Sequence, residues 1–162
     1  METIITVLTV LSLYMNASLN QSSEYCYNAE MENGIVTTVY VYNQGEEGLS
    51  PRLACHYDYD AVGRLTEKVV SRWDVWSKSY QPSYRLQFCY TDEGYEVAHS
   101  EWNKNLQEWK DIQEKAIYHI EKGQVLSVNY LQKNHQGDYH LSNQLNVFSP
   151  YEGLLLAEMD ER

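Results

Sequence analysis

Five glycines, Gly34, Gly63, Gly94, Gly123 and Gly153, stand 29, 31, 29 and 30 residues apart. A fixed spacing of this size marks one supersecondary unit laid beside copies of itself, because such a unit cannot bury its apolar face alone. The residues before each glycine recur in kind. Leu53, Cys55, Tyr57 and Tyr59 alternate with Ala54, His56 and Asp58, and Tyr84, Leu86, Phe88 and Tyr90 alternate with Arg85, Gln87 and Cys89. Ala116, Tyr118 and Ile120 continue the pattern, and Leu145 and Val147 give a shorter version. A two-residue apolar period is that of a strand with one buried face. Acids or turn formers then precede the glycine, as in Asp60-Ala-Val-Gly63 and Asp92-Glu-Gly94, which suits a tight hairpin.

A second strand follows each turn, over 35–42, 65–73, 95–102 and 125–130. These strands end in an aromatic, a polar turn and another aromatic: Trp73 with Trp76, Trp102 with Trp109, and Tyr130 with Tyr139. The fold expected is therefore all-β: an antiparallel meander of tandem β-hairpin repeats with a period of about 30 residues and roughly ten strands, in a single twisted or curled sheet. Only residues 106–116 resist, since Leu106, Trp109, Ile112 and Ala116 lie near helical spacing. The other copies argue that this stretch too is extended.

The run Tyr57-Asp58-Tyr59-Asp60-Ala61-Val62-Gly63-Arg64-Leu65-Thr66 resembles the signature of YD repeats, the tyrosine-aspartate hairpins of RHS-type bacterial proteins. The other glycines keep the turn but lose the arginine after it. In length and layout the chain is more similar to a family of small exported Bacteroidetes proteins of unknown function. That resemblance implies an exported β-repeat protein and transfers no catalytic residue.

Residues 3–14 form an uncharged apolar stretch, shorter than the ~20 residues that span a bilayer. Ala17 and Ser18 follow, then polar residues. This reads as a secretory signal over 1–18, with a single β-hairpin repeat domain over 19–162. The competing reading is an N-terminal strand or helix packed on the repeats. Export is the expected localisation, without a membrane span.

Twelve basic against twenty-three acidic residues give a net charge of -11, which repels phosphate backbones and anionic headgroups. Nucleic acid is therefore not an expected partner. Cys26 and Cys55 lie at equivalent positions, separated by an intervening strand and so about 10 Å apart, too far for a disulfide. All three cysteines, with Cys89, are read as small partly buried hydrophobes.

His56 with Asp58, His99 with Glu101 and His119 with Glu121 each project from one face of a strand. Their registers differ, so no metal site is assigned. The chain has no nucleophile elbow, no phosphate-binding glycine loop and no Cys-x-x-Cys, and no cofactor is expected.

The functional lead is aromatic. Trp73, Trp76, Trp102, Trp109, Tyr130 and Tyr139 are expected along one rim, where flat rings stack on sugars or on a partner's apolar side chains. Cross-strand packing is the competing role for Trp73 and Trp102. The resulting expectation is a non-enzymatic exported module that binds glycan, peptide or a protein surface. Exposed Trp76 and Trp109 would favour it. A long uncapped edge strand would favour assembly through sheet edges, and a closed cleft holding two acids and a histidine would favour a small hydrolase.

Overall fold

The computed structural model describes residues 5–19 and 24–146. One helix, α1 (Val7–Leu19), precedes ten strands: β1 (Tyr25–Glu32), β2 (Ile35–Gly45), β3 (Gly48–Tyr59), β4 (Leu65–Asp74), β5 (Ser79–Thr91), β6 (Gly94–Asn103), β7 (Glu108–Trp109), β8 (Glu114–Glu121), β9 (Gln124–Lys133) and β10 (Tyr139–Asn146). They form one antiparallel sheet in the order β1-β2-β3-β4-β5-β6-β8-β9-β10, with β7 pairing only β6. The sheet is an uncurled meander whose ends, β1 and β10, do not meet. The stretch 106–116 is not helical: Leu106 and Gln107 finish the turn after β6, and the rest is β7, a linking segment and the start of β8.

A meander places alternate turns at opposite ends of the sheet. Gly34, Gly63, Gly94 and Gly123 all fall at one end, while Gly153 and Val147 lie outside the described residues. The β1–β2 turn is Asn33-Gly34, both at positive φ (52° and 79°), a conformation that matches the twist of a two-residue hairpin and that glycine adopts without a Cβ penalty. Asp60 organises the β3–β4 turn: its Oδ1 accepts from the Val62 and Arg64 amides, and its Oδ2 accepts from Arg64 Nε at 2.7 Å.

The alternating residues read from the sequence share a face. Ala29, Val39, Cys55, Val70, Tyr84 and Glu101 are successive cross-strand partners, and the core gathers on their side from Val36, Val39, Cys55, Leu65 and Val70. Helix α1 covers part of this face with Val10, which is 3% exposed. Residues before the helix extend the sheet by one bridge, Thr6 with Arg64, in which Leu65 N donates to Ile5 O at 2.8 Å and Val7 N to Gly63 O at 3.1 Å. The opposite face carries no second layer among the described residues.

Two strand prolines mark irregularities. The register shifts opposite Val41/Tyr42, where Pro51 follows Leu53 as partner, and opposite Val70/Ser71, where Pro82 follows Tyr84. Proline cannot donate to a ladder, so it sits where the ladder is already broken. Cys26 and Cys55 lie on β1 and β3, on opposite faces of the sheet, and the three cysteines are free. Cys55 is buried, Cys26 is half-buried with its thiol donating to Gln44 Oε1, and Cys89 is exposed rather than packed.

Candidate functional site

At the end of the sheet opposite the glycine turns, two hairpin tips are built alike. Asp74 closes β4 and Asn103 closes β6. Asp74 Oδ1 accepts from Trp76 N at 3.0 Å, and Asn103 Oδ1 accepts from Asn105 N at 3.0 Å. Each turn ends on a non-glycine residue in the left-handed region, Lys78 (φ 50°) and Gln107 (φ 55°). Short side chains that bond the backbone two residues on are what hold such turns.

Between these tips, on the helix-side face, lies a cleft of about 550 Å³. Arg72, Asp74 and Gln81 line one side, His99 and Glu101 the other, with Tyr84, Trp73, Trp102 and Lys104 completing it. The Tyr84 and His99 rings lie 5.3 Å apart, and Arg72 Nε donates to Ser83 Oγ at 3.3 Å. Ser83 is the extra residue at the β4–β5 bulge. His99 and Glu101 also line a smaller hollow of about 180 Å³ with Lys110, Asp111, Gln113 and Glu114. That hollow arises because β6 changes partner: Gly94–His99 pair with β8, Trp102 and Asn103 with β7, and residues 110–113 cross between them.

Both cleft acids are held charged. Amide bonds from Trp76, then the Ser77 hydroxyl, keep the Asp74 carboxyl below the usual carboxylate range. The ammonium of Lys110, 2.8 Å from Glu101 Oε2, does the same for Glu101. A glycosidase-type division of labour needs one carboxyl raised to donate a proton, and neither acid here is so tuned.

The six aromatics do not form one rim. Trp73 pairs with Tyr80 rather than Trp76, edge to face at 5.0 Å on the open face, where Tyr40 extends the cluster. Trp102 pairs with Trp109 on that same face, and the Arg85 guanidinium lies over Trp109 at 4.9 Å. Trp76 sits on its turn, 95% exposed. Tyr130 falls on the helix-side face in a separate hollow of about 280 Å³ between β8 and β10. Tyr139 donates to Ile112 O at 2.8 Å, with Lys115 over its ring. The split follows from the bulges and from unequal turn lengths, which change which residues face each other. Of the six, only Trp73 and Trp102 border the cleft, as strand positions whose rings lie on the other face.

Of the His-acid pairs, His56 and Asp58 approach to 3.4 Å on the open face, with Thr38 Oγ1 3.1 Å from His56 Nδ1. His99 and Glu101 meet in the cleft, and His119 bonds Asn129. Among the described residues no three His, Cys, Asp or Glu side chains gather to hold a metal ion. No described helix is long and apolar enough to cross a membrane. Of the cleft residues, the sequence pointed to His99 and Glu101 only as a same-face pair, and it did not single out Arg72 or Gln81. The strand proline at 82 was the signal that the register shifts beside them.

Fold and cleft together define an open, single-layer antiparallel β-sheet protein with a polar cleft of about 550 Å³ at its aromatic end. The chain belongs to the family of unknown function DUF3836, whose model matches residues 1–120. No curated protein matches. A protein of unknown function from Bacteroides fragilis NCTC 9343 shares the fold at a TM-score of 0.69 and 21% identity, over 82% of this chain and 97% of that one. DUF3836 proteins from Bacteroides vulgatus ATCC 8482 (TM-score 0.51, 22% identity, 53% of this chain and 88% of that one) and Parabacteroides distasonis ATCC 8503 (0.52, 23%, 57% and 87%) are also similar.

Proposed function

We propose that the protein is an exported, non-enzymatic binding module that holds a glycan in the cleft over β4–β6. The observation that carries this reading is the cleft itself, where the Tyr84 and His99 rings stand among Arg72, Asp74, Gln81 and Glu101, while Trp73 and Trp102 border it with their rings on the other face of the sheet. Fixed donors and acceptors of both signs suit a hydroxyl-rich ligand, and a few convergent polar groups in a concave, aromatic-bordered site are what recognition requires. Charged acids without a raised partner support binding over hydrolysis.

Export is supported by the uncharged run before Ala17 and Ser18 and by the helix it forms. Leu8, Met15 and Leu19 are exposed on the side of α1 away from Val10, beside Ser12 and Asn16, so the outer face of the helix carries large apolar side chains and no charge, unlike the charged outer face usual for a helix lying between core and water. The Asp60–Arg64 turn supports kinship with YD-type hairpins at this one unit.

Titration of tryptophan fluorescence against neutral and acidic oligosaccharides and polar peptides tests the reading. Saturable quenching by an oligosaccharide, weakened by Gln81→Ala and Arg72→Ala, is expected. No quenching by any of them would overturn it. Assembly through sheet edges is the second reading, favoured by β10, exposed at all eight positions. Light scattering that shows a concentration-dependent oligomer would support it.

A further inference from the structure

The face beneath α1 holds the only described core cluster, and the segment that covers it is the one read as a leader. Ile5, Val10, Leu11 and Tyr14 pack against Val36, Val39, Cys55, Leu65 and Val70. We propose that in the exported chain this face is a docking site for an uncharged apolar peptide segment of a partner protein, received at the Asp60–Arg64 turn. The proposal rests on the export reading, because removal of the leader is what vacates the face.

The chemistry of the vacated site selects its occupant. Loss of the leader, residues 5–18 of the described chain, uncovers apolar side chains, and it also frees two backbone groups beside them. Leu65 N–H loses its acceptor, Ile5 O, and Gly63 C=O loses its donor, Val7 N. The Tyr90 hydroxyl, 3.1 Å from Ile5 O, stands beside this pair and keeps Leu65 O, 2.8 Å away. An acyl chain or a sugar could cover apolar surface or bond a hydroxyl. A donor and an acceptor spaced as one antiparallel bridge are matched by a peptide backbone, as in strand addition. The chain's net charge of -11 disfavours an acidic segment. A second copy would bring the same open sheet face, and among its described residues none outside the sheet and α1 is placed to enter the bridge.

The test uses the chain as recovered after export, with its N-terminus fixed by intact mass and its fold by circular dichroism. A labelled synthetic peptide of residues 5–19 is titrated into it. The proposal expects saturable binding, slowing of Leu65 amide exchange by about tenfold or more, and loss of both effects with a peptide carrying Val10→Asp. Because that change is in the peptide, it cannot unfold the protein. A leader retained on the exported chain would overturn the reading of residues 1–18 as a cleaved signal, and this proposal with it. A folded chain without its leader that ignores the peptide, or binds the Val10→Asp peptide equally, would overturn this proposal alone. Light scattering that shows a dimer with Leu65 already protected would also overturn it, since a second copy would then occupy the face.

Discussion

Trp102 and Trp109 face each other across the β6–β7 pair, ring centroids 4.9 Å apart and planes at 71°. This contact adds to the short β6–β7 ladder and to the Arg85 guanidinium over Trp109 in holding the two-residue strand β7, at the point beside the cleft where β6 exchanges one partner for another. Edge-to-face pairs contribute about 0.5–1.5 kcal/mol beyond the area they bury.

Trp102→Ala and Trp109→Ala should each cost about 2 kcal/mol, roughly half the penalty for a fully buried ring. Their double-mutant cycle in urea unfolding should show a coupling of about 0.5–1.5 kcal/mol. Strict additivity would mean the rings do not support each other.

Trp76 should behave oppositely. At 95% exposed, its replacement by alanine should change stability by less than about 0.5 kcal/mol. A larger loss in the same urea assay would show that the β4–β5 tip packs against something else.

Gly94 opens β6 at φ 148°, where an added Cβ would collide with the Tyr118 carbonyl oxygen. Gly34, at φ 79°, has open space around it. Gly94→Ala should therefore cost on the order of 3 kcal/mol or more, against about 1–2 kcal/mol for Gly34→Ala. Equal losses in urea unfolding would contradict the close approach of β6 to β8.

The acid limb of stability should come from turn and cleft carboxylates. Asp60, Asp74 and Glu101 all titrate below their ordinary range, Asp60 chiefly through the Arg64 amide. Their contribution is present above about pH 4 and is lost as pH falls through the depressed folded values. Melting temperature against pH should fall less steeply for Asp60→Asn than for the parent. Identical acid limbs would remove Asp60 from this role.

Alkaline pH should act through buried tyrosines. Burial pushes Tyr59 and Tyr90 up to about 12. Their contribution is full below about pH 10 and declines as pH rises from there through the folded values. Melting temperature should thus drop above that point in step with tyrosinate absorbance, and a flat profile would contradict their burial.

Much of the fold was legible because alternation survives tertiary packing. Leu53, Cys55, Tyr57 and Tyr59, and Tyr84, Leu86, Phe88 and Tyr90, each kept to one face along a strand. Asp60 and Arg64 were legible as a turn because their contacts are local. The cleft was not. Which residues converge there depends on the bulge at Ser83 and on the exchange of partners along β6, and both are set by pairing between distant segments. Equal spacing suggested that Trp73 would answer Trp76, yet the turn placed Tyr80 opposite it and left Trp76 on the tip.

If the cleft over β4–β6 holds the sugar, amide chemical-shift mapping should place the ligand there. Isotope-labelled protein titrated with the oligosaccharide that quenches best should shift Asp74, Gln81, Ser83, His99 and Glu101 together. Shifts gathered instead around Tyr40 and Tyr80 on the open face, or no shifts at saturating sugar, would contradict it.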